Sequence, residues 1–267
     1  QVPEKNISVS LENIATNYND NDSTIEFRFG KTKKLILFFP NDGGCFLITE
    51  VEGMAITTPS KFRNIFPINI QVVPILGPLE HNEPVVAEET VRSSLGTHRA
   101  SRHFRNYWHY FPEGWPEMQI KPPYMLSPVD DKISMFCSEN RLDREIYWAG
   151  SGFQIWCQLL THLSRAKDAG IVIIDEPEIY LHPDVQRQLL GILRSLNTDV
   201  LLATHSVEIM GEADPSEILL VDKRRRSAQR LKDIEGIQQA IESVGSAQNV
   251  TLTQLARTKR IVFVEGL

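Results

Sequence analysis

The feature that most constrains this chain is a run of four aliphatic residues, 171–174, that leads directly into Asp175 and Glu176. A short aliphatic run without polar alternation is typical of a parallel strand buried on both faces. In open α/β sheets, ligands bind at the carboxyl edge of such strands. We therefore expect the two acids at a sheet edge, where a ligand can reach them.

A second strand is predicted over residues 200–203, and the segment between the two strands has the spacing of an amphipathic helix that begins at Pro183. His205 follows the second strand, 30 residues after Asp175. Because the strands of a βαβ unit are parallel, His205 is expected at the same edge as Asp175 and Glu176. The alternative is that the two acids end the strand by chance and that His205 has a structural role. The joint pattern of the three residues disfavours this alternative.

The chemistry of these three side chains suits phosphoryl transfer. Mg²⁺ prefers oxygen ligands, so Asp175 is expected to hold a magnesium ion, usually through water. Glu176 is the candidate general base that polarises the attacking water. The imidazole of His205 can donate a hydrogen bond to a γ-phosphate oxygen. Phosphoryl transfer needs little beyond positioning and charge neutralisation.

The segments DEPEIYLHP (175–183) and THS (204–206) resemble motifs of ABC-class ATPases of the SMC/RecF/OLD group, most of all OLD-type and related AAA-labelled prokaryotic ATPases. The resemblance is strong over residues 144–222 and weak before them. It implies ATP and Mg²⁺ as cofactors and a homodimer or higher homo-oligomer that sandwiches ATP. The residues to which it assigns catalytic, metal-binding or D-loop roles are Glu176, His205, Asp175 and Asp184.

The stretch that matches the family's signature motif is AGSGFQ, residues 149–154. It departs from LSGGQ, because a glycine precedes the serine and Phe153 replaces the second glycine. Small residues at a helix N-terminus let backbone N–H groups and the Ser151 hydroxyl approach an anion, although an ordinary serine N-cap is the alternative. The resemblance implies that four residues of this stretch contact the nucleotide held by the opposite subunit: Gly150, Ser151, Gly152 and Gln154.

The tripeptide Gly30-Lys31-Thr32 has the letters of a phosphate loop but lacks its context. The motif requires a glycine five positions before Gly30, and that position is Ile25. The tripeptide lies between two strand-like runs, which predicts a hairpin turn. The resemblance places the true phosphate loop upstream of Gln1, so weak ATP binding is expected of this chain alone. With no initiator methionine and an apolar strand at its end, the chain is expected to be part of a longer protein.

The C-terminal segment KRIVFVEGL, residues 259–267, is an apolar strand followed by Glu-Gly and resembles the opening of a TOPRIM domain. That resemblance makes Glu265 the first metal-binding carboxylate of a nuclease domain directly downstream. With an OLD-like ATPase half, it implies control of a nuclease, in defence against phage. An SMC- or RecF-like repair ATPase without nuclease activity and a non-catalytic assembly scaffold are the alternatives.

The predicted fold class is α/β, an ABC-ATPase-like core with a parallel sheet flanked by helices and an N-terminal antiparallel β subdomain. Further predicted elements are strand and loop over 61–84, a helix over 89–111, a helix from Ser151 to near Gly170 and a buried strand over 218–221. The predicted segments are an antiparallel β-rich part (1–88), a helical and proline-rich part (89–131), an α/β catalytic lobe (132–258) and the first TOPRIM strand (259–267).

The net charge of the chain disfavours DNA binding through bulk charge but does not exclude a local basic groove. The net charge of −6 and the isoelectric point near 5.7 argue against a protein that coats nucleic acid through bulk charge. Over residues 95–111, Arg99, Arg102 and Arg105 interleave with aromatic residues, which suits either DNA contact or a packed amphipathic helix. The run KRRR at 223–226 suits either DNA contact or a solvated turn. DNA and a nuclease or other defence-system protein are the partners that the resemblance implies.

A cytoplasmic location without a membrane partner is expected. The three cysteines show no disulfide or metal-ligand spacing, which fits a reducing compartment. No apolar run approaches the roughly 18 residues needed to span a bilayer. The N-terminal residues do not have the pattern of a signal peptide.

Overall fold

The computed structural model describes residues 22–41, 44–113, 124–125, 131–139, 141–221 and 228–243. The chain forms two compact units, Gln1–Ile68 and Asn69–Leu267. This division does not coincide with the boundaries predicted after residues 88, 131 and 258, which remain predictions.

The first unit is an antiparallel meander followed by a short helix. Its elements are β1 (Ser23–Phe29), β2 (Lys33–Phe39), β3 (Phe46–Val51), β4 (Met54–Ala55) and α1 (Pro59–Ile65), and the strands pair in sequence order. Phe29 pairs with Lys33, and Gly30 opens the turn between them with φ of 67°. Gly30-Lys31-Thr32 is therefore a hairpin turn, as predicted.

Helix α1 corrects the prediction of strand and loop from residue 61 onward. Pro59 starts the helix, since a proline at the first position loses no hydrogen bond. The helix packs through its aromatic residues, with the Phe62 and Phe66 rings 5.3 Å apart and the Phe66 and Phe29 rings 5.5 Å apart. Aromatic packing against β1 thus stabilises a helix that its sequence pattern did not indicate.

The second unit contains a parallel sheet in the order β12–β11–β5, with helices packed against it. Together with the N-terminal meander, this confirms the predicted fold class. The elements of the unit are β5 (Ile70–Val73), β6 (Glu83–Pro84), α2 (Glu88–Ser94), α3 (Phe104–Tyr110), β7 (Tyr124–Met125), β8 (Lys132–Ser134), β9 (Phe136–Glu139), β10 (Leu142–Glu145), α4 (Ser151–Arg165), β11 (Ile171–Asp175), α5 (Pro183–Ser195), β12 (Asp199–Ala203), α6 (Val207–Glu212), β13 (Leu219–Leu220), β14 (Gln229–Arg230) and α7 (Ile234–Ser243).

One face of the parallel sheet carries the core. Val172 of β11 is fully buried in a cluster with Leu159 of α4 and Leu189 of α5. On the other face, Val72 is 39% exposed and Leu201 is 60% exposed. Both helices lie on the same face because the connections β5 to β11 and β11 to β12 cross the sheet in the same direction, and such crossovers are right-handed. The aliphatic residues at 200–203 predict a buried strand like β11, and that prediction is wrong, because Val200 and Leu202 are only partly buried and Leu201 is exposed.

Three other predicted elements differ from the structure. The helix predicted over 89–111 is interrupted between α2 and α3, across residues 95–103, where Gly96 and a short 3₁₀ turn at Ala100–His103 occur. Helix α4 starts at Ser151 as predicted but ends at Arg165, before a 3₁₀ turn at Ala166–Asp168. The strand predicted over 218–221 is reduced to β13, which pairs antiparallel with β14 instead of joining the parallel sheet.

The stretch rich in arginine and aromatic residues is packed into the protein. Phe104, Tyr107 and Trp108 are buried, which confirms the interpretation of α3 as a packed amphipathic helix. Arg105 is fully buried as well, although arginine is mostly found at protein surfaces. Its Nε donates to Glu145 Oε1 at 2.8 Å, and its Nη1 donates to Glu83 Oε2 at 3.3 Å. A buried guanidinium needs such carboxylate partners, since an unpaired charge inside a protein is strongly destabilising.

The cysteines form no disulfide. Cys45, Cys137 and Cys157 are all free. Burial raises the pKa of Cys157 to about 12 and that of Cys137 to about 11, so both thiols stay protonated at neutral pH. Among the described residues, no helix combines the length and the apolar character that crossing a bilayer demands.

Two leucine substitutions test where the core lies. Leu189→Ala removes a fully buried side chain and should lower the free energy of unfolding by about 2–5 kcal/mol. Leu201→Ala, the same change at an exposed position of β12, should cost under about 1 kcal/mol. Urea denaturation of both variants measures the difference, and equal losses would contradict the assignment of the core to one face.

A buried histidine predicts a pH dependence of stability. Burial in α4 lowers the pKa of His162 to about 3, and its Nδ1 lies 3.3 Å from Arg165 Nη1, a group that can only donate. Between pH 6.5 and pH 3 the unfolded chain therefore binds a proton at His162 that the folded protein does not. Stability should fall on acidification by up to about 1.4 kcal/mol per pH unit from this residue. Unfolding free energies at pH 6.0 and 4.5 should show a smaller drop in His162→Gln than in the unsubstituted protein, and equal drops would exclude this role.

Candidate active site

The parallel pairing of β11 with β12 brings the predicted catalytic side chains to one edge. Asp175 ends β11 and pairs with Ala203, the last residue of β12. The Glu176 N–H continues the ladder by donating to the Ala203 carbonyl oxygen at 2.9 Å. Just beyond this pair, His205 Nε2 lies 3.3 Å from Glu176 Oε1. The structure thus brings Asp175, Glu176 and His205 to the same carboxyl edge.

The side chains at this edge are accessible. The Glu176 side chain is 33% exposed and that of His205 is 73% exposed, and Asp175 is also exposed. Glu176 adopts a left-handed backbone with φ of 43°, and Tyr180 follows with φ of 66°. Non-glycine residues rarely adopt such values, and where they do the strain is often part of a functional site.

The acids suit a hydrated magnesium ion better than a metal held by protein ligands alone. Among the described residues, no group of three or more histidine, cysteine or acidic side chains could hold a metal ion. Mg²⁺ keeps several waters and is commonly bound by one or two carboxylates and the phosphates of a substrate. The exposed carboxylate of Asp175 fits that chemistry.

A third acid, Glu178, joins the loop after β11 to the loop after β12. Its Oε1 accepts a hydrogen bond from the His205 backbone N–H at 2.6 Å. Gln186 makes a second connection, because its Nε2 donates to the Leu181 carbonyl at 2.8 Å and its Oε1 accepts from Ser206 Oγ at 2.6 Å. The sequence reasoning missed Glu178 and Gln186. The presence of a third carboxylate in the segment DEPE could have drawn attention to Glu178. The sequence does not indicate that this side chain bonds to a backbone group 27 residues away.

The signature-like turn lies against the loop after β11. Gly150 precedes Ser151, the first residue of α4, and Ser151 is partly exposed. A Cβ atom on Gly152 would lie 2.8 Å from the Tyr180 carbonyl oxygen, closer than real Cβ contacts permit. Gly152 is therefore required for the close packing of α4 against the Tyr180 carbonyl, and Gly150 and Ser151 immediately precede it in the chain. Their predicted contacts with a nucleotide of another subunit remain predictions.

Gln154 is buried and its side chain is engaged within the fold. Its Oε1 accepts from the Leu79 N–H, and its Nε2 donates to the Tyr147 and Ala149 carbonyl oxygens, each at 2.8 Å. These bonds attach the segment before α4 to residue 79. The predicted nucleotide contact of Gln154 remains a prediction, and it would require this network to rearrange.

Asp184 lies in the first turn of α5, and its side chain is mostly exposed. It pairs with Arg187, whose Nη1 also donates to Glu208 at 2.6 Å. The Asp184 backbone N–H donates to His182 Nδ1 at 3.3 Å.

Two predicted features, Glu265 and the basic run at 223–226, lie outside the described residues.

A family model covers the part of the chain that holds these residues. Residues 89–211 match the family described as "AAA domain, putative AbiEii toxin, Type IV TA system". The matched range includes Asp175, Glu176 and His205 and is just under half of the chain. Residues 89–211 are similar to AAA-type ATPase domains. A comparison with curated proteins gave no match.

Several solved structures of SMC head domains are also similar. The head domain from Thermotoga maritima has 13% identity and a TM-score of 0.39, with 72% of this chain and 67% of that chain covered. An SMC head bound to the C-terminal winged-helix domain of ScpA has 13% identity and a TM-score of 0.43, covering 72% and 68%. A head domain with an extended coiled coil, bound to the C-terminal domain of ScpA derived from Pyrococcus furiosus, has 12% identity and a TM-score of 0.37, covering 68% and 67%.

Two glycine substitutions test the close approach of α4 to the loop after β11. Gly152→Ala would place a methyl group against the Tyr180 carbonyl and should lower the free energy of unfolding by about 1–3 kcal/mol. Gly191→Ala, in open space within α5, should raise it by about 0.5–1 kcal/mol through helix propensity. Chemical denaturation gives both values. A Gly152→Ala variant as stable as the unsubstituted protein would contradict the close packing.

Proposed function

We propose that this chain supplies the hydrolytic half of an ATPase site of the ABC/AAA type. The observation that carries the proposal is the meeting of Glu176 and His205 at 3.3 Å, beside Asp175, at the carboxyl edge of a parallel sheet. The similarity of residues 89–211 to AAA-type ATPase domains supports the same reaction class.

Each side chain has a distinct role in the proposed reaction. The Glu176 carboxylate accepts the proton of the attacking water, a role that contributes about 10²–10⁴-fold to a rate. His205 donates a hydrogen bond to a γ-phosphate oxygen, where negative charge must be stabilised in the transition state. Asp175 would hold Mg²⁺, which would supply neutralisation of phosphate charge. The short distance between Glu176 and His205 lets them act on neighbouring atoms of one substrate.

This edge is not expected to hold ATP tightly without further contacts. Asp175, Glu176 and Glu178 bring three carboxyl groups to it, and their negative charge opposes a triphosphate. The phosphate loop that the family resemblance places upstream of Gln1 would supply the missing attraction. Within the proposal, two copies associate, and Gly150 and Ser151 of one copy face the nucleotide held by the other.

The wider biological role follows from the OLD resemblance alone. In this part of the proposal, nucleotide binding and hydrolysis in the cytoplasm are coupled to DNA engagement and to control of a nuclease during defence against phage. Glu265 would begin the metal site of that nuclease in a TOPRIM domain. The alternative is an SMC- or RecF-like repair ATPase without nuclease activity, and the sequence that follows Leu267 in the full-length protein distinguishes the two.

Substitution of Glu176 tests the proposed reaction. In the full-length protein that contains this sequence, Glu176→Gln should reduce Mg²⁺-dependent phosphate release from ATP by at least about 100-fold, because the amide cannot accept the proton. Binding of a fluorescent ATP analogue should be retained, since the change preserves size. The matched control is Glu235→Gln at an exposed position of α7, which should leave turnover unchanged.

The two measurements separate catalysis from binding. Loss of turnover with retained analogue binding supports the assignment of Glu176 as general base. Unchanged turnover in Glu176→Gln refutes it. Absence of ATP turnover in the full-length protein would instead favour the non-catalytic scaffold.

A further inference from the structure

We infer that Glu178 is a positioning residue for His205, through a hydrogen bond to its backbone. The inference deepens the proposed function and rests on the role assigned there to the His205 imidazole. It starts from the exposure of the His205 side chain, which is 73% accessible to solvent. Apart from its contact with Glu176 Oε1 at 3.3 Å, a side chain this exposed gains little positional restraint from packing, so the position of its backbone matters.

The contact between Glu178 and His205 is short and direct. Glu178 Oε1 accepts from the His205 N–H at 2.6 Å, slightly shorter than the usual range for N–H···O bonds. Hydrogen bonds to an ionised acceptor are stronger than neutral ones, at about twice the strength. Because Glu178 is two residues beyond Glu176, the same loop carries the candidate base and the group that anchors the candidate phosphate donor.

Glu178 is only partly buried, but one of its two carboxylate oxygens is held away from solvent at a cost in folding free energy. Its second oxygen, Oε2, is buried and finds no hydrogen-bond partner within the described part of the chain. Leaving a buried carboxylate oxygen unpaired is unfavourable, and such groups call for an explanation. A leucine or methionine would fill the same space without that cost, but neither could accept the His205 N–H.

A separate set of bonds orients the neighbouring residue. Gln186 of α5 donates to the Glu178 carbonyl at 3.3 Å and accepts from Ser206 Oγ at 2.6 Å. The Ser206 hydroxyl in turn accepts from the Ile209 N–H at 3.1 Å, so it caps α6. The His205 backbone is therefore bonded to Glu178, and the next residue, Ser206, is held by Gln186 and caps α6. Displacement of a catalytic group by about 1 Å can cost about 100-fold in rate.

The test compares removal of the carboxylate with its conservative replacement. The variants are Glu178→Ala and Glu178→Gln, since glutamine keeps an oxygen that can accept the His205 N–H. Glu208→Ala is the matched control, because the Glu208 carboxylate contacts Arg187 instead of the His205 backbone. Hydrogen exchange and the ¹⁵N–¹H resonance of the His205 amide are measured by NMR, and ATP turnover is measured in the same full-length variants.

The expected pattern is specific to a positioning role. Glu178→Ala should speed exchange of the His205 amide by about tenfold or more and reduce kcat by about tenfold or more with little change in KM. Glu178→Gln should recover most of both quantities. Glu208→Ala should leave the His205 amide and kcat unchanged.

Two results would overturn the inference, and both differ from failure of the proposed function. The first is an unchanged His205 amide in Glu178→Ala, a readout that does not depend on ATP. The second is unchanged kcat in Glu178→Ala in a protein whose Glu176→Gln variant is inactive. By contrast, unchanged turnover in Glu176→Gln refutes the proposed general base.

Discussion

The backbone pairing of β11 with β12 is the interaction on which the candidate site depends. It sets Asp175 opposite Ala203, and the bond from the Glu176 N–H to the Ala203 carbonyl extends the register by one residue. Side chains alternate between the faces of a strand, so a slip of one residue would turn Asp175 from one face to the other. The buried aliphatic residues of β11 oppose such a slip, because their side chains would leave the core. Core packing therefore maintains the geometry of a polar site.

Beyond the strand ends, the site depends on bonds between loops and on an unusual backbone. Glu176 and Tyr180 both lie in the left-handed region, and Gly152 allows the Tyr180 carbonyl to approach α4 closely. Such conformations persist when the surroundings determine them strongly. Here the surroundings include the Glu178 bond to the His205 backbone and the contact of Gly152. These contacts at Glu178 and Tyr180 restrain the loop that carries Glu176.

Burial decides which polar residues serve the fold and which face solvent. Gln154 belongs to a motif that suggested nucleotide contact, yet its amide satisfies three backbone groups inside the protein. Arg105 belongs to a stretch that suggested DNA contact, yet it is paired with Glu83 and Glu145 in the core. A polar group removed from water must find partners, and in both cases the protein provides them. Residue type and spacing could not separate these residues from His205, which remains exposed.

The sequence by itself determined the elements with strong local signals. The aliphatic run of β11, the start of α5 at Pro183 and the glycine turn at Gly30 depend on residues close together in the chain, and each occurs as predicted. The proximity of Asp175, Glu176 and His205 also followed from the sequence, since parallel strands end at a common edge. The tertiary structure alone decided the exposure of one sheet face, the formation of α1, the burial of Arg105 and the contact of Glu178 with the His205 backbone. Those features depend on the partner that each residue meets across the fold, and a local pattern does not specify that partner.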